Sequence, residues 1–456
     1  MKPPRRPKPA VELLQGLKPD RLQKILETFP SAQQNRHYYH WDKLRYLKPP
    51  DDLTHEEWWL RLKLARSSSL RALPLQDVKG QPFVFSMPDQ VVEMLHKIDQ
   101  NASGQITISE EVTNPATRNR YIVSSLIEEA ITSSQLEGAS TTRRVAKEML
   151  RTGRPPRNRD EQMILANFQA MQLTSELRQR KLTPNLVLRL HRVLTEGTLD
   201  VADAAGRLQR PDEQRVQVWQ HDAAGEWIAH KPPPAAELPD RLKAMCDFAN
   251  GTSTHGFIHP VVRAIVLHFW LVYDHPFEDG NGRTSRALFY WSMLSQGYWL
   301  AEFLTISSIL RKAPSKYGRA FLYSETDDND LTYFVVYQLE VLTRAVKELH
   351  AYLERKMTEV RNAEALLRQS PDLNHRQLAL LSHAMRNSDA RYTITSHRTS
   401  HNISYETARS DLLTLEKKGL LIKQKRGRAF YFMPTPELID KLSMTPGLAE
   451  LSLYEK

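Results

Sequence analysis

The chain holds a single cysteine, Cys246, in 456 residues. An internal disulfide and a cysteine metal cage are thereby excluded, and a reducing compartment is expected. Long apolar runs are missing too. The longest, "AIVLHFWLVY" from Ala264 to Tyr273, is too short to cross a bilayer and contains His268. No apolar segment follows the basic start "MKPPRRPKPA". We therefore expect no signal peptide, no membrane partner and a cytoplasmic protein. No internal repeat is visible. Two common nucleotide signatures are also lacking: there is no GxxxxGK[ST], and Ser285 stands where the last glycine of a GxGxxG fingerprint belongs.

What is present is ordinary in bulk. Hydrophobic residues make up 41% and charged residues 25%, as in soluble globular proteins. The length suits two or three domains. The net charge of +10 fits nucleic acid, an acidic partner or phosphates, and does not choose among them.

Residues 1–84 read as an N-terminal helical region. Thr54-His55-Glu56-Glu57 fits a capping box that opens a helix carrying Trp58, Leu60, Leu62 and Leu64, with Trp41, Trp58 and Trp59 as core. Residues 85–367 are mainly helical, with apolar positions recurring at spacings of three and four. One stretch departs from this: "RVQVWQHDAAGEWIAHKPPP" (215–234) reads as a β-hairpin with a Pro-rich exit, either structural trim or a loop that grips a ligand or substrate. The polar "RQSPDLNH" (368–375) marks a boundary. Residues 368–456 then give helix 375–386, a short strand near 392–394, helix 395–401, helix 404–418 and two strands, "LLIKQ" and "AFYFM". That order is a winged helix-turn-helix pattern. Its stretch 390–434 holds nine Lys/Arg against three acids, a balance of 9 − 3 = +6. The basic wing suits DNA phosphate, while Asp411 and Glu416 on the third helix would repel it. DNA contact, protein contact and a homodimer module all stay open. The expected fold class is mainly α: a helical core with one β-hairpin, an N-terminal helical region and a C-terminal winged helix-turn-helix domain.

The informative stretch is "HPFEDGNGRTSR" (275–286). Gly280-Asn281-Gly282 allows a sharp turn that points successive N–H groups one way, an anion nest. The helix that follows adds the partial positive charge of its N-terminus. Arg283 and Arg286, three apart, share a face and suit phosphate oxygens. Asp279 or Glu278 could supply a carboxylate to Mg²⁺. His275, with an ordinary pKa of ~6.5, could accept a proton from an attacking hydroxyl. Each part alone is commonplace, and a histidine after an apolar helix is usually packing, the reading favoured for His255, His259 and His268. Their conjunction in twelve residues points to transfer of a phosphate-containing group.

These residues fit the Fic family motif, HxFx[DE]GNGRxxR, at every fixed position, and the chain resembles that family over roughly 120–350. The resemblance implies a helical core with a hairpin flap and transfer of AMP from ATP, with Mg²⁺ or Mn²⁺, to a Ser, Thr or Tyr hydroxyl of a target protein or of the chain itself. It implies His275 as base, Phe277 as loop anchor, Asp279 as metal ligand, Gly280, Asn281 and Gly282 as anion hole, and Arg283 and Arg286 on the distal phosphates. The hairpin would align a target segment. "SSQLEG" (133–138) fits the family's inhibitory motif with Ser133, Glu137 and Gly138, at the end of a helix near 119–138. Glu137 would pair with Arg286 and restrain transfer. Two alternatives remain: removal of AMP or another phosphate chemistry, and a DNA-binding regulator with a nucleotide-sensing site.

Overall fold

Helix Pro260–Asp274 is apolar around nearly its whole circumference, so it has to be wrapped by others. It packs against helix Asn281–Ser295, which is itself buried from Arg283 to Leu294. Helices Arg159–Glu176, Pro184–Thr195 and Leu238–Ala249 surround this pair. Helix Pro115–Leu136 joins through Ile127 and Ile131, which pack with Ala146, Met149 and Ile164. The architecture is mainly α, as expected. The computed structural model describes residues 2–27, 37–102, 115–222, 225–253, 256–368, 372–387, 390–426 and 429–443. They form two compact units, one of 1–106 with 125–346 and one of 107–124 with 347–456. Among the described residues no helix is long and apolar enough to cross a membrane.

The capping box is present: the Glu57 N–H donates to Thr54 Oγ1 at 3.2 Å and the Thr54 N–H to Glu57 Oε2 at 2.8 Å, opening helix His55–Ser67. Trp59 is buried, with Trp41 edge-on at 6.0 Å. The region expected to be wholly helical ends differently. Arg71–Gln76 and Pro82–Phe85 form an antiparallel hairpin. Its prolines hide it from pattern reading, since proline weakens a strand signal and is tolerated at a strand's first residue. Phe83 packs against Phe269 and Tyr273 at 5.3 and 4.9 Å, so this hairpin is part of the core's wall.

The hairpin expected at 215–231 consists of strands Val218–Asp222 and Gly225–His230, with an irregularity between Val218 and Trp219. Its turn residues 223–224 lie outside the described set, as does His255.

In the second unit, helices His375–Arg386, Ile394–His401 and Tyr405–Lys417 precede an antiparallel hairpin, Leu421–Arg426 with Ala429–Pro434. Tyr392 exchanges backbone hydrogen bonds with Phe432 at 2.8 and 2.9 Å. Asp411 was expected on the surface of the third helix and is instead internal. It accepts from Arg376 Nε at 2.8 Å, Asn374 Nδ2 at 2.8 Å and His397 Nε2 at 3.1 Å. Although burial opposes ionisation, these donors hold its pKa below the ordinary carboxylate value. Replacing Asp411 by Ala strands Arg376 and His397, and should destabilise this unit by about 3 kcal/mol. The midpoint of its urea unfolding reports that loss.

Candidate active site

His275 terminates helix Pro260–Asp274 by turning left-handed, at φ 45° and ψ 52°, while its N–H still donates to the Leu271 carbonyl at 2.9 Å. This bend turns the side chain out of the helical path. Nδ1 lies 3.3 Å from the Val272 carbonyl, which can only accept, so Nδ1 carries the proton and Nε2 keeps its lone pair. Burial, then the positive charge of His230, pushes the His275 pKa down to about 4. At neutral pH the ring is an uncharged acceptor.

Two residues that sequence reading passed over hold this histidine in place. The Arg215 guanidinium donates to the carbonyls of His275 (2.8 Å) and Pro233 (2.8 Å), and also to the Asp274 carbonyl. It therefore ties both ends of the 215–234 hairpin to the backbone of the candidate base. His230, the last residue of the hairpin, has Glu325 Oε2 2.8 Å from Nδ1 and the Tyr273 carbonyl 2.7 Å from Nε2. Both partners only accept, so both ring nitrogens must donate, and His230 is an imidazolium. Burial opposes that charge, but Glu325 and the carbonyl outweigh it and raise the pKa. Nothing in the local sequence signals either role, because every partner is distant along the chain.

The loop after His275 is anchored from beneath. Phe277 is fully buried and stacks on His191, with ring centroids 3.7 Å apart and 7° between planes. His191 Nε2 donates to the Asp279 carbonyl at 2.9 Å, and Nδ1 accepts from the Gly206 N–H at 3.0 Å. Its pKa falls to about 4, chiefly through burial, so it stays neutral and keeps both roles. On the sequence it is only a histidine on the apolar stripe Val187–Leu190–Leu194. Gly280 has φ +80°, and a Cβ there would sit 2.6 Å from Thr195 Cγ2, so both conformation and space require glycine. The Asn281 side chain braces Phe277, accepting from its N–H at 3.0 Å and donating to its carbonyl at 2.8 Å. Its amide is thus committed to the loop, and only its backbone N–H remains for an anion. Helix Asn281–Ser295 starts here.

Arg283 and Arg286 are both buried. Arg283 Nη1 donates to the Leu194 carbonyl at 2.8 Å, and Nη2 lies 3.4 Å from Asp279 Oδ2. Arg286 Nε donates to Ser133 Oγ at 2.9 Å, and Nη2 to the Ser133 carbonyl at 3.1 Å and to Glu137 Oε1 at 2.8 Å. Burial alone would lower the Arg286 pKa, but the Glu137 charge outweighs it. Glu137 also lies against the loop: a Cβ on Gly282 would sit 2.2 Å from Glu137 Oε1. Glu137 and Gly138, the latter at φ +99°, form the turn just after helix Pro115–Leu136. The loop from His275 to Arg286 and the segment from Ser133 to Gly138 thus meet at one place.

Asp279 offers a half-exposed carboxylate, 49% accessible. No cluster of three metal-ligating side chains occurs among the described residues. That donor set suits Mg²⁺ held by one carboxylate plus substrate oxygens and water, and not a cation caged by protein alone. The histidines read as packing behave so where described. His268 is fully buried with Nε2 2.8 Å from the Tyr317 hydroxyl, and His259 caps helix Pro260–Asp274.

The sequence of this region and the fold have counterparts. Residues 181–293 match the model of the Fic/DOC family. The chain is similar to a protein adenylyltransferase Fic of Drosophila willistoni, 39% identical over 69 residues, which are 15% of this chain and 14% of that protein. It is also similar to protein adenylyltransferase fic-1 of Caenorhabditis elegans, 44% identical over 59 residues, 13% of this chain and 11% of that one. The chain thus spans 14% or less of the length of these relatives. A crystal structure of a Fic family protein from Desulfovibrio desulfuricans shares the fold at a TM-score of 0.50. It covers 76% of this chain and 96% of that one, at 18% identity. Over residues 181–293 the chain is thus similar to the Fic/DOC family.

The charge balance around His275 can be measured directly. Its imidazole should titrate near pH 4 by NMR. In Glu325→Gln the His230 ring loses the counter-charge that keeps it protonated and should become neutral, so the His275 pKa should rise, though burial still holds it below the ordinary ~6.5. An unchanged His275 titration in that variant would contradict the arrangement.

Proposed function

We propose that this protein is a protein adenylyltransferase restrained by its own Glu137. The carrying observation is the conjunction in one loop of an uncharged base with a free Nε2, a half-exposed carboxylate and a Gly-Asn-Gly helix start flanked by two buried arginines. His275 Nε2 takes the proton of a Ser, Thr or Tyr hydroxyl. The hydroxyl oxygen bonds to the α-phosphorus of ATP, and the bond from that phosphorus to the bridging oxygen breaks, releasing pyrophosphate. The N–H groups of Asn281 and Gly282 would meet the phosphates, joined by that of Gly280 once it leaves Asp279 Oδ1, to which it donates here. Arg283 and Arg286 meet the distal phosphates. Asp279 would hold Mg²⁺, which neutralises phosphate charge when bound. The 215–234 hairpin supplies an edge for a target segment, and Arg215 keeps that edge in register with the base.

Restraint follows from charge. Glu137 is paired with Arg286 and lies against Gly282, at the corner that a distal phosphate needs. A second reading is removal of AMP from a modified protein. It is supported by the 30% exposure of the Glu137 side chain, which leaves the carboxylate able to orient a water. A nucleotide-sensing regulator is less well supported, since a sensor needs no base.

Transfer of label from α-³²P-ATP to protein, with Mg²⁺, tests the proposal. Glu137→Gly should raise incorporation about tenfold or more, the effect of losing an opposing interaction of ~1.4 kcal/mol. Adding His275→Ala should lower it by ~10²–10⁴ while nucleotide binding persists. If no variant takes label, even with cell lysate present, release of AMP from modified proteins is the next assay. Release that depends on Glu137 would favour the second reading.

A further inference from the structure

The second unit presents a surface whose charge the active site does not explain. Inside it, Asp411 is consumed by Arg376, Asn374 and His397. Glu416 is half-buried. Between residues 390 and 426 this leaves Glu406 as the one exposed acid among the described residues. Against it stand exposed Arg398, Arg409, Lys417, Lys418, Lys423 and Lys425. Glu406 is itself paired with Arg409, at 3.5 Å.

The fold orders this charge. Helix Ile394–His401 packs on helix Tyr405–Lys417 across a tight turn, in which Asn402 is left-handed at φ 49° and the Ile403 N–H donates to the Arg398 carbonyl at 3.2 Å. Ala408, Leu412 and Leu415 bury one face of the second of these helices. Tyr405, 48% exposed, and exposed Arg409 lie on the first turns of that helix, flanking the buried face. In the hairpin, Lys425 pairs with Phe430, Lys423 with Phe432 and Leu421 with Pro434. Directly opposed residues share a face. Lys423, Lys425 and Phe430 therefore continue the face whose base, Leu421 and Phe432, is buried against the helices. Lys423 Nζ sits 4.5 Å from the Phe430 ring centroid, which holds the ammonium at the tip of the hairpin.

We infer that this unit binds duplex DNA, with helix Tyr405–Lys417 in the major groove and the hairpin on the adjacent phosphates. An α-helix is ~10–12 Å across with its side chains and the major groove is ~12 Å wide. A helix pair joined by a tight turn and followed by a basic hairpin is a docking geometry for that groove. Tyr405, Glu406 and Arg409, on the first turns of the helix, face the base edges. Lys423 and Lys425 contact phosphate. The acid that argued against DNA on the sequence, Asp411, is a structural brace, and its charge does not reach the surface. This inference stands apart from the AMP-transfer reading.

The test is fluorescence anisotropy of the full chain with a labelled random-sequence duplex at 50 and 200 mM salt. With four or more phosphate contacts, affinity should fall about 10²-fold between those concentrations. Arg409→Glu combined with Lys423→Glu and Lys425→Glu should weaken binding at least tenfold. Single substitutions should each lower the salt slope by about one. Lys79→Glu with Lys181→Glu, two exposed lysines of the other unit, should leave affinity within about twofold. If the triple variant does not fold, Lys423→Gln with Lys425→Gln should weaken binding several-fold. Lack of duplex binding at 50 mM salt, equal weakening by the lysine control, or equal affinity for double-stranded RNA of the same sequence would each overturn the inference. The first of these would leave the basic face to a protein partner.

Discussion

Burial of the Arg286 guanidinium is the constraint around which the rest of the site is arranged. A guanidinium does not give up its proton in a protein, and taking it out of water costs several kcal/mol unless anions and acceptors surround it. Here Ser133 supplies two acceptors and Glu137 the counter-charge. Glu129, buried on the same helix as Ser133, accepts from the Ser307 N–H at 3.2 Å and lends Arg286 further negative field. A phosphate oxygen would meet the same demand as Glu137. On the proposed function, restraint and substrate binding would compete for this one buried cation, and the ion pair would act as a switch as well as a brace.

The opposite logic governs His275. Burial chiefly, then the His230 imidazolium and to a smaller extent the Arg215 guanidinium, lower its affinity for a proton. If His275 is the base, as proposed, it is neutral at any pH above about 5, at the cost of being a weak one. Arg215 spends its donors on backbone carbonyls, so it fixes where the histidine stands as well as its charge. The hairpin and His275 are thereby tied together through Arg215.

Much was legible in the primary sequence. The capping box at Thr54, the helices of the C-terminal region and the hairpin near 218–230 follow from local rules that need no distant partner. The twelve-residue loop is equally local: its glycines, its acid and its arginines have to be contiguous to act together, so a linear pattern exposes them. The 71–85 hairpin was not legible, because its stability comes from Phe83 against Phe269 and Tyr273 and its prolines mask the alternation.

The sequence by itself determined a helical protein with a loop whose residue types suit phosphate, and with Glu137 138 residues upstream of His275. Only the tertiary structure decided how the parts are charged and held. It put His191 under Phe277, set His230 between two acceptors, gave Asn281 to the loop's backbone and drew Asp411 inside. Each of these depends on which group lies across a gap from which, and on how much water is shut out between them. Those are properties of packing between segments far apart in the chain, and no linear pattern carries them.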